Sequence, residues 1–289
     1  MLRSLIGAVP VALFLGACAT AQPPSAAPAQ QSARPDAAIS AAVDGAWRSE
    51  SDRARDSARR PAEVLAFWGL KPGATTLELA PGGGYWTDIL APYAKQTGGR
   101  YLATGADLGD PQLSDGARRN RSNFEARLAA KPDVYGAVTL VNFGPKTTSL
   151  GEPGSVDLVL TARNIHNWMA QGTLDKVFGE AFAVLKPGGV FAVEEHRANP
   201  GPQDPKAESG YVTEAFVIEA AQRAGFRLDA RSELLANPRD TKDHPFGVWT
   251  LPPVKRTAPA GQPANPNFDR SRYDAIGESD RMALRFVKP

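Results

Sequence analysis

The stretch that decides the fold reads Leu77-Glu78-Leu79-Ala80-Pro81-Gly82-Gly83-Gly84-Tyr85-Trp86-Thr87. Its apolar beginning predicts a buried strand, its run of glycines predicts a tight turn, and the residues that follow predict a helix. Glycines allow a bound molecule to approach the backbone closely, and the first turn of a helix offers free N–H groups. The stretch therefore predicts a ligand-binding turn between a strand and a helix.

Two details of this turn distinguish it from the turn of dinucleotide-binding proteins. The spacing G-x-G-x-x-G fails, because Gly82 and Gly84 would need glycine or alanine where Thr87 stands. An acidic residue, Glu78, also stands on the strand itself, ahead of the glycines. Both details disfavour an NAD-dependent oxidoreductase.

Strands alternate with helical stretches on both sides of the turn. Strands separated by helices at this spacing form a parallel sheet that helices cover on both faces. The end of the chain breaks the alternation, because residues 226–234 and 282–287 predict strands with no helical pattern between them, and we expect these two to pair antiparallel. The other predicted strands are 75–80, 100–104, 137–143, 156–161 and 190–194, and the predicted helices are 37–47, 61–68, 85–93, 117–130, 173–185 and 212–224.

The composition excludes several classes of protein. The 289 residues include 33 Lys and Arg against 31 Asp and Glu, a formal net charge of +2, so we expect no strong attraction to nucleic acid or to an anionic membrane. The single cysteine rules out an internal disulfide and every multi-cysteine zinc or iron–sulfur site. Three histidines leave little material for a His-rich metal site.

The N-terminal residues have the pattern of an export signal. Arg3 is followed by an apolar run, residues 5–15, that is too short to span a bilayer. The run ends in Leu15-Gly16-Ala17-Cys18, which resembles a bacterial lipobox in which Cys18 is lipidated after cleavage. Ala19 in the next position favours the outer membrane. The alternative is ordinary secretion, with cleavage after Ala19-Thr20-Ala21.

These patterns divide the chain into a leader, a tether and one domain. Residues 1–18 are predicted as a lipoprotein-type signal peptide, and residues 19–34, rich in Ala, Pro, Gln and Ser, as a disordered tether. Residues 35–289 are predicted as a single domain with N-terminal helices and a Pro-rich excursion at residues 252–267.

The turn around the glycines resembles the nucleotide-binding motif of class I S-adenosylmethionine-dependent methyltransferases. Leu185-Lys186-Pro187-Gly188-Gly189 resembles the turn that this family carries before its fifth strand, and a terminal antiparallel hairpin is the family's topological mark. Arg163-Asn164-Ile165-His166-Asn167-Trp168 and Asp243-His244-Pro245-Phe246-Gly247-Val248-Trp249 resemble, more narrowly, a group of exported bacterial predicted methyltransferases. The resemblance implies a doubly wound, mainly parallel seven-stranded α/β sheet with a C-terminal antiparallel hairpin, the Rossmann-like methyltransferase fold.

The resemblance assigns cofactor-binding roles to residues of the turn. Glu78 would anchor the methionine part of S-adenosylmethionine, and Gly82 and Gly84 would let the backbone pass beneath it. Ala80 stands where the family has glycine, which a backbone with negative φ would tolerate.

The resemblance also assigns residues that would bind the nucleoside half of the cofactor. Asp107, which comes a residue or two late after the second strand, would bind the ribose hydroxyls. Asn142 and Phe143 occupy the place after the third strand where the family has an acid, and would contact the adenine. The alternative for Phe143 is a position in the core.

Two histidines follow predicted strands at the edge where doubly wound sheets bind their ligands. His166 follows the strand at residues 156–161, and His196 follows the strand at residues 190–194. A neutral imidazole can accept a proton near neutral pH, so we expect His166 to act as a base and Asn164 to orient the acceptor. His196 is a second candidate, with a capping role as its alternative. A metal site of these histidines with Glu194 or Glu195 has no supporting spacing, and we predict no metal.

The predicted function is S-adenosylmethionine-dependent methyl transfer, by in-line displacement, to a small molecule or an envelope acceptor. The alternative is an exported binding module that keeps a nucleotide-like pocket and transfers nothing, since S-adenosylmethionine is made in the cytosol. The expected partners are the acceptor and, through Cys18 alone, a membrane, with no nucleic acid. The expected location is the periplasm, on an outer-membrane lipid anchor.

Overall fold

The computed structural model describes residues 35–289. The predicted leader, the tether and Cys18 therefore lie outside the described residues. Within residues 35–289, no helix is both long and apolar enough to cross a membrane.

Seven strands form one sheet in the order β3-β2-β1-β4-β5-β8-β6. The pairs among β1 to β5 are parallel, whereas β8 lies antiparallel between β5 and β6. The predicted doubly wound sheet with an antiparallel C-terminal hairpin is confirmed. The strands are β1 Thr75–Leu79, β2 Arg100–Ala106, β3 Val138–Phe143, β4 Val156–Ala162, β5 Leu185–His196, β6 Arg227–Ser232, β7 Pro245–Val248, which is not part of this sheet, and β8 Arg281–Val287.

Four of the described helices begin with a side chain that caps the first turn. Asp36 accepts a hydrogen bond from the Ile39 N–H at 2.7 Å and caps the first helix, and Pro61 opens the fourth as predicted. The helices are α1 Ala37–Val43, α2 Glu50–Arg53, α3 Asp56–Arg59, α4 Pro61–Trp68, α5 Thr87–Thr97, α6 Asp115–Ala129, α7 Pro132–Tyr135, α8 Ile165–Gln171, α9 Leu174–Val184, α10 Glu214–Arg223 and α11 Ser271–Ile276.

Five short helices were not predicted from the sequence, namely α2, α3, α7, α8 and α11. Helix α8 carries His166, and α11 lies between β6 and β8, where no helical pattern was found. All five span two turns or less, which is too short for an apolar stripe to repeat. The predicted helix 37–47 also ends earlier, at Val43, where the backbone N–H of Asp44 closes the last turn.

Side chains of β1 alternate between the two faces of the sheet and so set the orientation of the site. Leu77 and Leu79 belong to the core on one face, together with Phe178 of α9. Tyr101 belongs to the core on the other face, with residues of α4 and α5. Glu78, between the two leucines, therefore points toward Tyr101 and the start of α5.

Candidate active site

A cavity of about 390 Å³ opens at the carboxyl ends of β1, β4 and β5. The strand order reverses between β1 and β4, and open α/β sheets bind their ligands in the crevice at such a point. The turn after β1, the start of α8 and His196 at the end of β5 all line the cavity. Two further walls come from residues before β1 and from the end of β7 with the chain that follows it, at residues 248, 249 and 251–254.

Glu78 lies buried beneath the cavity with its carboxylate held by two hydroxyl groups. Thr87 Oγ1 donates to Glu78 Oε2 at 2.9 Å, and the Tyr101 hydroxyl donates to the same oxygen. Burial raises the pKa of Glu78 to about 7, although both hydrogen bonds oppose the rise. Because Glu78 also lines the cavity, its charge near neutral pH can respond to a bound cation.

The turn after β1 adopts a left-handed backbone at three positions. Gly82 has a φ of +56° and Gly84 a φ of +87°, values that L-residues rarely adopt. Ala80 has a φ of +48°, so the negative φ under which alanine would replace glycine without strain is not present. The Ala80 N–H donates to Thr104 Oγ1 at 2.7 Å, and this bond holds the strained residue in place. A Cβ on Gly82 would meet no atom within 4 Å, so this part of the turn is open to a ligand.

His166 and Asn164 converge on the cavity from the start of α8. The side-chain amide of Asn164 donates to the Leu79 carbonyl at 3.1 Å and so ties the start of α8 to the end of β1. His166 is buried and lines the cavity, and its Nδ1 lies 3.0 Å from Glu195 Oε1. With Nδ1 bound to Glu195, Nε2 is the nitrogen left to interact with a ligand.

Glu195 holds this arrangement from the end of β5. It is fully buried, and its Oε2 accepts hydrogen bonds from the N–H groups of Ile165, at 2.6 Å, and of His166, at 3.3 Å. Its Oε1 accepts a third from the His196 N–H at 2.8 Å. Burial lowers the pKa of His166, but the charge and hydrogen bond of Glu195 outweigh it, so the pKa is raised above its ordinary value.

His196 lies beside His166 in a different electrostatic setting. The two ring centroids are 5.6 Å apart, and His196 Nδ1 is hydrogen-bonded to Ser279 Oγ at 2.6 Å. Burial, with the positive charges of Arg281 and His166, holds the pKa of His196 well below its ordinary value. His196 is therefore neutral at neutral pH.

The residues predicted for the nucleoside half lie on the β2–β3 side, outside the cavity lining. Asp107 follows β2 directly and accepts a hydrogen bond from the Gly109 N–H at 3.0 Å. Asn142 is exposed, and Phe143 packs edge-on against Trp168 with centroids 6.2 Å apart. Phe143 thus has the core contact that the sequence left as its alternative. Gly84 also lies just outside the lining, with the Arg127 guanidinium where a Cβ would stand.

The sequence of the central part of the chain matches one family profile. Residues 77–193 match the family described as Methyltransferase domain. The match covers less than half of the chain, and it includes Glu78, the glycine turn, Asn164 and His166. It supports a class I S-adenosylmethionine-dependent methyltransferase, with S-adenosylmethionine as the cofactor.

Solved structures of methyltransferases resemble the chain at low identity. An S-adenosylmethionine-dependent methyltransferase from Aquifex aeolicus is 20% identical, with 62% of this chain and 86% of that chain covered and a TM-score of 0.45. A TehB-like methyltransferase from Corynebacterium glutamicum is 17% identical over 81% and 87%, with a TM-score of 0.41. A Burkholderia thailandensis 1,6-didemethyltoxoflavin-N1-methyltransferase, solved with bound 1,6-didemethyltoxoflavin and S-adenosylhomocysteine, is 16% identical over 86% and 84%, with a TM-score of 0.45. The fold assignment rests on the strand order of this chain.

The methyltransferase domain match leaves out several residues that line the cavity or hold its lining residues in place. It ends at residue 193, ahead of Glu195 and His196, and it excludes Arg55, Arg59 and Trp249, all three of which line the cavity. No role was predicted for Arg55 or Arg59, Trp249 was noted only within the segment 243–249, and Glu195 was weighed only as a metal ligand. Two adjacent acids at the end of an apolar strand were the one signal for Glu195, because buried carboxylates require partners.

Arg163 also lines the cavity, although no site role was predicted for it. Its backbone is left-handed, with a φ of +59°, and its Nε lies 3.6 Å from Glu194 Oε1. Non-glycine residues in this conformation are uncommon and cluster at functional sites. His244 does not line the cavity, because its Nε2 is bound to Asp240 at 2.8 Å in the interior. The described residues contain no group of three or more His, Cys, Asp or Glu that could hold a metal ion.

Proposed function

We propose that the protein transfers a methyl group from S-adenosylmethionine directly to an acceptor that loses a proton in the reaction. The observation that carries the proposal is a single cavity that joins the glycine turn and Glu78 to the His166–Glu195 pair. S-adenosylmethionine supplies an activated methyl group on a sulfonium, and the bond from sulfur to carbon breaks as the bond from the acceptor to carbon forms.

The residues present fit this cofactor at the turn after β1. Gly82 and Gly83 line the cavity with open space where a Cβ would stand, so the backbone of the turn is open to a ligand there. The Glu78 carboxylate, with a pKa of about 7, gains its negative charge when a cation approaches. Asp107 and Asn142, at the ends of β2 and β3, remain our candidates for the ribose and the adenine.

At the position of the acceptor, His166 is the proposed base. His166 Nε2 takes the acceptor's proton, and the buried Glu195 carboxylate stabilises the imidazolium that results. Glu195 is a positioning residue, because it orients the ring through Nδ1 and fixes the start of α8 through two N–H groups. Proximity of the two reactants supplies the larger share of the rate, about 7–11 kcal/mol, and a general base adds a factor of about 10²–10⁴.

The test is single-turnover transfer of a labelled methyl group to cell-envelope extract. The wild type is expected to label at least one fraction. Changing His166→Ala should leave cofactor affinity within a few fold and lower the transfer rate at least a hundredfold, and His196→Ala should lower it less. If the wild type binds the cofactor and labels no fraction, the protein is a binding module and the proposal is wrong.

We further propose that the protein belongs to an exported group and is anchored through Cys18. The Arg3 start, the short apolar run and the position of the single cysteine support this. An exported methyltransferase needs its cofactor outside the cytosol, so the acceptor would belong to the cell envelope.

A further inference from the structure

A buried cluster of arginines and carboxylates forms one wall of the cavity. Glu278 is shared by three arginines, with Arg55 Nε at 2.6 Å, Arg59 Nε at 3.1 Å and Arg281 also paired to it. Glu194 pairs with Arg281 Nη1 at 3.3 Å and with Arg163 Nε at 3.6 Å. We name this set, with its neighbours around Tyr85, the arginine cluster: Arg48, Arg55, Arg59, Arg163 and Arg281, with Asp52, Asp56, Glu194 and Glu278.

The arginine cluster holds one more cation than it has carboxylates, and the excess falls at Arg59. Its side chain is fully buried, yet Nη1 and Nη2 have no hydrogen-bond partner within residues 35–289. The centroid of the Tyr85 ring lies 4.4 Å from Arg59 Cζ, so the ring lies against the guanidinium and accepts no hydrogen bond from Nη1 or Nη2. An arginine cannot release its proton, so the two Nη groups of this buried guanidinium lack an acceptor, although Nε is paired with Glu278.

The position of the arginine cluster relative to the strands indicates which ligand supplies an anion to Arg59. Arg55, Arg59 and Arg163 line the cavity, and their partners Glu194 and Glu278 come from β5 and the residues before β8. This is the side of β1 away from β2 and β3, whose ends we assign to the nucleoside of the cofactor.

We propose that the methyl acceptor carries a carboxylate that binds Arg59, with Arg55 and Arg163 beside it. The planar guanidinium offers paired N–H groups that match the two oxygens of a carboxylate. The carboxylate restores charge balance in the cluster and places the acceptor on the same side of the cavity as His166. This inference rests on the proposed methyl transfer.

The experiment measures binding of succinate, a dicarboxylate probe, by calorimetry to the full chain saturated with S-adenosylhomocysteine. The wild type is expected to bind succinate, and Arg59→Met is expected to weaken that binding at least tenfold with S-adenosylhomocysteine affinity unchanged within threefold. Arg53→Met, at an exposed arginine of α2, is the matched control and should change neither affinity. Arg59→Lys, which keeps the charge and loses the paired donors, should give an intermediate loss and serves in place of Arg59→Met if that variant does not fold.

Two results would overturn the inference, and each differs from a failure of the proposed function. Succinate that binds the complex with 5′-methylthioadenosine but not the complex with S-adenosylhomocysteine would mean that the cluster holds the cofactor's own carboxylate. Equal succinate binding by wild type and Arg59→Met, or none by the wild type, would mean that no anion site exists at Arg59. If S-adenosylhomocysteine itself does not bind, the proposed function fails, while succinate binding to the cofactor-free protein still tests Arg59.

Discussion

Changing Glu78→Gln tests the cofactor site at its buried centre. The amide oxygen of a glutamine can accept the hydrogen bonds that Thr87 and Tyr101 donate to Oε2, so the fold should tolerate the change. The negative charge toward the cavity is lost. Hydrogen bonds to charged groups contribute about 1.5–3 kcal/mol, which corresponds to a roughly ten- to hundredfold weaker affinity for S-adenosylmethionine.

The pKa of Glu78 adds a pH dependence to this prediction. Burial raises that pKa to about 7, so the carboxylate is mostly neutral at pH 6 and mostly charged at pH 8. Wild-type affinity for the cofactor should therefore rise roughly tenfold between these pH values, and Glu78→Gln should remove this rise. The raised pKa of Glu78 also contributes to the stability of the cofactor-free fold. This contribution is fully present below pH 4.5, the ordinary pKa of a glutamate, and is lost as the pH rises through 7.

The assay is isothermal titration of S-adenosylmethionine at pH 6, 7 and 8, with thermal unfolding of each cofactor-free variant beside it. Tyr101→Phe is the matched control, because its hydroxyl lowers the pKa of Glu78. Its loss should move the midpoint of the pH dependence upward, while Glu78 still becomes charged at high pH. Unchanged affinity in Glu78→Gln, or a variant that unfolds, would refute the assignment of Glu78 to the cofactor and leave it as a structural acid.

The remaining predictions concern the base, the turn and the anchor. The transfer rate should rise with pH through a His166 pKa above 6.5, and Glu195→Gln should shift that profile to lower pH; an unshifted profile would make Glu195 merely structural. Gly84→Val forces a β-branched residue to a φ of +87° and should abolish cofactor binding, whereas Gly83→Ala should leave the thermal midpoint unchanged; binding retained by Gly84→Val would contradict the assigned turn. Labelled fatty acid should be incorporated into the wild-type protein but not into Cys18→Ala. Equal labelling of both would contradict lipidation at Cys18 and favour ordinary secretion.

The sequence correctly predicted those elements that are specified by residues close together along the chain. The β1–turn–α5 unit is specified by apolar residues and glycines within eleven positions, and the C-terminal hairpin by two β-rich runs. The short helices α2, α3, α7, α8 and α11 were missed because one or two turns cannot display a period. The left-handed Ala80 was missed because Thr104, on another strand, holds its backbone N–H.

The sequence predicted the side of the candidate site that carries the histidines, but not the side that carries the arginine cluster. Strand ends brought His166, Asn164 and His196 to the cavity, since the carboxyl ends of parallel strands meet at one edge. Arg59 could not be predicted, because its role depends on Glu278 near the other end of the chain. Residues bound to such distant partners carry no periodic or motif signal.

The distance along the chain between these partners has a consequence for the order of folding. Arg55 and Glu278, joined at 2.6 Å, lie 223 positions apart, and Arg59 and Glu278 lie 219 apart. The glycine turn can form from local contacts, but the cavity wall must wait until nearly the whole polypeptide has emerged and closed this loop. A chain that is truncated before Glu278 should therefore lack a complete acceptor pocket. For the same reason, a chain that is still being synthesised or exported should be inactive toward its acceptor until Glu278 has joined the fold.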